Sequence, residues 1–215
     1  MQTSPDGLFE LACHEGLVPG PYLDSVGVWT YGVGHTKSAG DPNPAKMPRG
    51  MPDDLESAIR HALDLFKTDL RRYEDDVNRA IHGPLKQHQF DSLVSFHYNT
   101  GGIYRARLTK LINAGDFDGA AKAFMGWTKP PEIIDRRKAE MHLFKTGEYT
   151  GKTVTVWGVT ETGKVIWSPQ ARYSRDVFLG YVGASKPTPA PQTGLQALIG
   201  HVIRILTAIL RGFRK

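Results

Sequence analysis

Apolar residues recur at helical spacing near the start of the chain, over residues 5–15. Ser4 can cap such a helix, with a proline at the first helical position, and Gly16 is a natural residue just beyond its end. The face that recurs consists of Leu8, Leu11, Ala12 and Glu15. The pattern therefore predicts a first helix whose apolar face ends on a glutamate.

Residues 22–36 follow the two-residue period of β-strands. A turn around 25–27 separates a short first strand from a second strand, which we predict to run unbroken over 28–36. One face of the second strand carries Trp29, Tyr31, Val33 and His35, and the other carries Thr30, Gly32, Gly34 and Thr36. Because the second face has few side chains, we expect a ligand to lie close to the backbone there.

A long helical pattern begins at Pro52 and ends at Gly83. Its roughly 30 residues would span about 45 Å, which suits a helix that joins two lobes. Shorter helical patterns follow, with Gly and Pro residues between them, over 85–98, 105–113, 117–125 and 132–145. The chain is therefore predicted to be α+β and mainly α.

The last part of the chain divides into three segments. Residues 150–185 predict a second hairpin, either packed on the preceding domain or serving as a small wall-binding strand pair. Residues 186–194 form a proline-rich linker. Residues 195–215 predict a cationic amphipathic helix, for which a membrane-surface segment is favoured over a transmembrane anchor or a helix that packs on protein. The membrane-active residues of this helix would be Arg204, Arg211, Arg214 and Lys215.

Charge and cysteine content narrow the function classes. The 215 residues include 27 Lys and Arg and 22 Asp and Glu, and five of the basic residues lie within 186–215. The first 185 residues are therefore neutral overall, which argues against a nucleic-acid-binding domain with a basic face.

Cys13 is the single cysteine and is favoured as a small core residue over a nucleophile. We expect no metal or cofactor, because the histidines lack ligand spacing.

The chemistry is predicted to centre on Glu15. Partial burial and the negative end of the helix dipole should both raise its pKa, which suits a general acid, although a solvated helix end is the alternative. Asp24 lies at the hairpin bend and Thr30 on the returning strand. An acid, a second carboxylate and a hydroxyl that can hold water are the groups needed to hydrolyse a glycosidic bond.

Glu15, Asp24 and Thr30, separated by eight and five residues, resemble the Glu–Asp–Thr triad of the phage-type lysozymes (endolysins, muramidases, glycoside hydrolase family 24). The flanking residues that strengthen the resemblance are Gly16, Tyr22, Trp29, Gly32, Gly34 and His35. The resemblance implies a lysozyme-like fold over residues 1–149, with a hairpin lobe, a connecting helix and a helical lobe. It implies cleavage, with inversion, of the β-1,4 bond between N-acetylmuramic acid and N-acetylglucosamine in peptidoglycan.

The resemblance also assigns supporting residues. Asp69 would pair with His35, although a solvated surface aspartate is the alternative. Asn99 would face the sugar, cap a helix end, or do both. Arg136 would lie next to the catalytic glutamate, with Arg137 as the partner if the alignment shifts by one residue.

Two other functions stay open from sequence. A lytic transglycosylase would use one acid, and a membrane-active or wall-binding protein would need none. We expect a monomer without a signal peptide. The resemblance implies that it is held in the host cytoplasm and released through a holin-type lesion to the cell wall.

Overall fold

The computed structural model describes residues 1–183 of the chain. The predicted linker and cationic helix lie outside the described residues. The helices are α1 (Pro5–Glu15), α2 (Leu55–Ala80), α3 (Gln87–Thr100), α4 (Arg107–Asn113), α5 (Phe117–Ala123), α6 (Ile134–Thr146) and α7 (Arg175–Val182). The strands are β1 (Val18–Leu23), β2 (Trp29–Gly32), β3 (His35–Thr36), β4 (Val154–Val159) and β5 (Val165–Tyr173).

Helix α1 begins and ends where local signals predict. Ser4 has extended backbone, and its hydroxyl accepts a hydrogen bond from the backbone N–H of Gly7. Gly16 follows the last helical residue with a φ of 72°, and a Cβ there would lie 2.8 Å from the indole nitrogen of Trp157. Glycine is therefore required at this position both for backbone conformation and for space.

The first sheet has three antiparallel strands in the order β1-β2-β3, so the prediction of one unbroken strand over 28–36 is wrong. The chain turns between β2 and β3, where Gly32 and Gly34 have φ values of 64° and 81°. The expectation that the glycine-bearing face of this strand is open to a ligand is also wrong. A Cβ on Gly32 would meet Ala62, and one on Gly34 would lie 2.7 Å from the hydroxyl of Tyr98. These glycines bring the sheet close to the chain's own helices.

Helix α2 connects the sheet to the other helices. Asp54, and not Pro52, marks its start, because the Asp54 carboxylate accepts from the backbone N–H of Ser57. Its 26 residues span about 39 Å. Tyr31 of β2 donates to the Ala58 carbonyl near one end, and Asn113 of α4 donates to the Ala80 carbonyl at the other.

The remaining helices enclose an aromatic core. Their centres agree with the predicted helices, while their ends shift by one or two residues, and 3-10 turns take the place of the predicted ends at 124–126 and 131–133. The large side chains that are almost fully buried include Phe66, Phe90, Phe96, Phe124, Phe144 and Phe178.

The second hairpin, β4–β5, forms as predicted, but α7 after it was not predicted. Val154 and Val156 of β4 and Phe178 of α7 are fully buried in the same core as α1. At the hairpin tip, the Gly163 carbonyl accepts from the backbone N–H of Leu23 at 2.8 Å. Within residues 1–183, no helix is both long and apolar enough to cross a membrane.

Candidate active site

Glu15 projects from the C-terminal end of α1 and is held by Arg136 of α6. Arg136 Nη1 donates to Glu15 Oε1 at 2.6 Å. The glutamate side chain is about one-quarter exposed, at 26%, whereas that of the arginine is 8% exposed. One carboxylate oxygen is therefore fixed by a buried cation, while Glu15 remains reachable from solvent.

Arg136 belongs to a buried network that extends away from Glu15. Its Nε donates to Glu140 Oε1 at 3.0 Å, and Nη2 donates to the Ser95 carbonyl at 3.2 Å. The Ser95 hydroxyl also donates to Glu140 Oε1. Burial lowers the pKa of Arg136, but the charges of Glu15 and Glu140 more than offset this effect and raise it above its usual value. Arg136 is therefore held charged by carboxylates on two sides.

Arg137 has a different set of contacts, so it is Arg136 that pairs with Glu15. Arg137 is fully buried, with Nη1 2.7 Å from Glu140 Oε2 and Nη2 donating to Asn99 Oδ1 at 2.8 Å. Burial lowers the pKa of Arg137. Asn99 lies within α3, and Gly101 in the left-handed conformation ends that helix, so the C-cap alternative for Asn99 is wrong. Asn99 itself is exposed.

Asp24 lies at the end of β1 and holds the hairpin turn. Its Oδ1 accepts from the backbone N–H groups of Val26 at 2.9 Å and Val28 at 2.8 Å. Thr30 is buried, and its hydroxyl donates to the Val28 carbonyl at 3.1 Å. The remaining Asp24 oxygen and the Thr30 lone pairs are acceptors that can hold a water molecule.

Two tyrosines near the candidate carboxyls have raised pKa values. Burial, followed by the negative charges of Glu15 and Asp24, raises the pKa of Tyr22. Tyr98 is more deeply buried, and its pKa is raised by burial first and then by the charge of Glu15, with smaller effects from Asp69 and Tyr22. Tyr22 therefore lies within electrostatic range of both predicted catalytic carboxyls.

His35 and Asp69 lie in direct contact. His35 Nδ1 is 2.8 Å from Asp69 Oδ2, and Nε2 is 2.8 Å from the Pro42 carbonyl. Both partners are acceptors, so the two hydrogen bonds form together only when both ring nitrogens carry protons. With His35 at the start of β3 and Asp69 on α2, the pair joins the sheet to the long helix.

Three residues of this region were not found from sequence: Ser95, Tyr98 and Glu140. Tyr98 donates to the Val33 carbonyl and so ties α3 to the β2–β3 turn. Glu140 follows Arg136 by four residues, a spacing that signals a pair on one helix face. Nothing local marks Ser95, because its partner lies 45 residues away.

The two residues that precede Glu15, His14 and Cys13, have pKa values that favour their uncharged forms. Burial and the neighbouring arginines Arg136 and Arg137 lower the pKa of His14 to about 4. Burial, together with Glu10, raises the pKa of the Cys13 thiol to about 12, as suits the predicted core residue.

Among residues 1–183, no three His, Cys, Asp or Glu side chains are grouped closely enough to hold a metal ion.

Residues 12–140 match the protein-family model described as Phage lysozyme, and this stretch includes Glu15, Asp24, Thr30 and Arg136. The chain belongs to that family. It is 35% identical over 150 residues to the endolysin of Salmonella phage P22, covering 67% of this chain and 98% of that endolysin. It is 30% identical over 133 residues to the SAR-endolysin of Escherichia phage Mu, covering 58% of this chain and 70% of the relative.

Solved structures show the same likeness. An endolysin from the Escherichia coli O157:H7 phage FAHEc1 aligns with a TM-score of 0.60 and 31% identity, covering 70% of this chain and 97% of that one. The muramidase domain of SpmX from Asticaccaulis excentricus aligns with a TM-score of 0.55 and 30% identity, covering 67% and 98%. The predicted lysozyme-like, mainly α fold and the predicted enzyme class are confirmed. The alternative of a non-enzymatic binding protein is therefore wrong.

Proposed function

We propose that this phage lysozyme hydrolyses the β-1,4 bond between N-acetylmuramic acid and N-acetylglucosamine in peptidoglycan. The observation that carries the proposal is the geometry of two carboxyl groups: Glu15, held at 2.6 Å by buried Arg136 yet open to solvent, and Asp24, fixed by two backbone N–H groups of the hairpin turn. Both residues and Thr30 lie in the stretch that matches the family.

Glu15 would act as the general acid. Arg136 occupies Oε1, so Oε2 is the oxygen that would carry a proton to the leaving sugar oxygen. As the glycosidic bond breaks, the glutamate becomes a carboxylate beside a guanidinium that is already in place. Arg136 would therefore stabilise the product side of the proton transfer without having to move.

Asp24 and Thr30 would position the attacking water. The two backbone N–H donors on Asp24 Oδ1 fix its orientation, which leaves Oδ2 to accept a proton from water. The Thr30 hydroxyl donates to its own backbone, so it would meet the water as an acceptor. A water held between two acceptors presents its oxygen lone pair to the sugar, and attack from that side inverts the anomeric carbon.

The decisive test is product analysis on purified peptidoglycan in water enriched in oxygen-18. Hydrolysis places the heavy oxygen on the newly formed reducing sugar, and NMR of the first-formed anomer reports inversion or retention. Glu15→Gln and Asp24→Asn should each abolish product release while leaving the circular dichroism spectrum unchanged. Val26→Ala, at an 80% exposed position in the same turn, is the matched control and should remain active.

The same experiment separates hydrolysis from transglycosylation. A lytic transglycosylase forms an intramolecular anhydro sugar and incorporates no solvent oxygen. Asp24 and Thr30 favour water as the nucleophile, because neither an activated carboxylate nor a water-holding hydroxyl is needed for internal ring closure. An anhydro product from the wild-type chain would overturn this proposal.

Host lysis by this enzyme is part of the proposal, and so are its storage in the host cytoplasm and release through a holin-type lesion. The cationic helix predicted over 195–215 would bring the enzyme to anionic membrane or to an outer membrane. The sequence of that segment supports the idea, because a helical wheel places most of its basic residues on a narrow polar stripe beside a broad apolar face. Leakage of anionic liposomes caused by the full chain, and lost when residues 195–215 are removed, would support it.

A further inference from the structure

A groove continues from the candidate active site onto the second hairpin. Its volume is about 490 Å³, within the usual range for a small-ligand site. One wall comes from β1 and the turn after it, through Tyr22 and Asp24, and the other from β5 and the turn before it, through Lys164 and Trp167. Because Asp24 is also a predicted catalytic residue, the groove and the active site are continuous.

Trp167 is presented to this groove by an irregularity in the hairpin. Gly158 of β4 pairs with Ile166, but the preceding residue Trp157 pairs with Pro169, so β5 contains two extra residues at this point. A bulge of this kind redirects side chains away from the regular alternation of a strand. The result is a tryptophan that is 74% exposed, with its ring supported at 5.3 Å by the edge-on ring of Trp157.

The hairpin that carries Trp167 lies outside the stretch that defines the family. The family match ends at residue 140, and β4 begins at Val154. The hairpin tip is nevertheless fixed to the first sheet, since Gly163 bonds to the backbone of Leu23 and a Cβ on Gly163 would lie 2.5 Å from the ring of Trp29. This second wall is therefore rigidly placed beside the candidate active site.

We propose that the groove binds a further N-acetylated sugar of the glycan strand, stacked on Trp167, beyond the two sugars whose bond is cleaved. This inference rests on the proposed function, because the bound polymer is its substrate. A flat aromatic ring packs against the C–H face of a sugar, since the ring face carries partial negative charge and the C–H edges partial positive charge. Exposed tryptophan without such a ligand leaves a large apolar surface in water.

The charges in the groove favour sugar over the stem peptide of peptidoglycan. Asp24 and Lys164 line the same groove with opposite charges, so its net charge is zero. N-acetylglucosamine is neutral and offers an amide and hydroxyls that can bond to both groups. A carboxylate-rich peptide would be drawn to Lys164 but repelled by Asp24.

The test measures binding of N-acetylglucosamine oligomers of two to six sugars to the full chain carrying Glu15→Gln, which prevents turnover. Adding Trp167→Ala should weaken the longest oligomers by about tenfold and leave the disaccharide nearly unchanged. Trp167→Phe should restore most of the loss. Ile166→Ala is the matched control, because Ile166 is a neighbouring exposed residue, 40% exposed, that does not line the groove.

The way in which the loss of affinity depends on oligomer length shows whether Trp167 contacts a sugar or only stabilises the hairpin. A loosened hairpin would weaken the binding of all oligomers equally. Equal weakening, or no weakening, would overturn the inference. Peptide-bearing muropeptides are titrated in parallel, and a loss confined to them would also overturn the inference, because it would assign the groove to the stem peptide. Failure of the proposed function is seen separately, as a wild-type chain that releases no product from peptidoglycan.

Discussion

Arg136 is the side chain that connects Glu15 to the interior. Because Glu15, Glu140 and the Ser95 carbonyl all accept from it, Arg136→Met would leave Glu140 buried with one cationic partner fewer. Breaking a buried pair from one side costs about 3–5 kcal/mol of unfolding free energy. Urea denaturation followed by circular dichroism measures this loss.

Lys138→Met is the control for Arg136→Met. Lys138 lies two residues further along the same helix, and its ion pair with Asp135 is exposed, so its replacement should change stability very little. If the two variants were equally stable, Arg136 would not have the structural role that its contacts indicate.

His14 predicts a pH dependence of stability. A histidine in the unfolded chain has a pKa near 6.5, whereas that of folded His14 is lowered to about 4 by burial and by Arg136 and Arg137. Between these values the unfolded chain binds a proton that the folded chain does not. The stabilising contribution is therefore complete above pH 6.5 and is lost as the pH falls to 4, by about 3 kcal/mol.

The measurement is the unfolding free energy of the wild type and of His14→Gln at several pH values between 7.5 and 4. The difference between them isolates His14, because the other titrating groups are shared. The wild type should lose stability more steeply below pH 6.5. His82→Gln, at an exposed position outside the helices, controls for replacing a histidine, and parallel curves for wild type and His14→Gln would contradict the prediction.

Contacts between elements hold the first sheet on α2, and the His35–Asp69 pair is the side-chain pair among them in which both partners are buried. Both side chains are at most 7% exposed. Asp69→Asn keeps the shape but removes the charge, so we expect a loss of about 2–4 kcal/mol and faster amide hydrogen exchange in β1–β3. Asp64→Asn, at a 67% exposed position on the same helix, should do neither. Unchanged exchange in the sheet of the Asp69 variant would show that the pair does not hold it.

Elements whose signals are local could be predicted from the sequence, and those decided by distant contacts could not. The limits of α1 follow from Ser4 and Gly16, which act on adjacent backbone. The break between β2 and β3 was missed because alternation alone fits one strand. It is imposed by Ala62 and Tyr98, which lie 30 and 64 residues from the glycines that they contact. Helix α7 was missed as well, since its one deeply buried residue, Phe178, packs against Phe9 far away in sequence.

The candidate site shows the same division. Glu15, Asp24 and Thr30 lie within 16 residues, so spacing and resemblance could find them together. Placing Arg136 beside Glu15 required the resemblance, because 121 residues separate the two. Glu140, which supports Arg136 from the same helix, could have been found from its spacing of four residues. Ser95 could not, since its contacts are created by the packing of α3 on α6. The catalytic roles of all these residues stay predictions until the product analysis is done.

At the scale of the whole molecule, the second hairpin and α7 contribute to the core, although the match to the family model ends at residue 140. Glu10 of α1 accepts from the Thr150 hydroxyl and the Gly151 N–H, and the Leu17 N–H donates to the Thr155 carbonyl. These contacts hold the helix that ends in Glu15. The lysozyme-like stretch of this chain is therefore not expected to be stable without the second hairpin and α7.

Two truncations test this dependence. A chain ending at Tyr149 loses Val154, Val156 and Phe178 from the core, each worth about 1.5–3 kcal/mol, which together is comparable to the whole stability of a typical domain. It should lose cooperative thermal unfolding and peptidoglycan hydrolysis. A chain ending at Gly183 keeps these residues and should retain both, failing only in liposome leakage. Cooperative unfolding of the shorter chain at the wild-type temperature would show instead that the hairpin is an addition on which the catalytic domain does not depend.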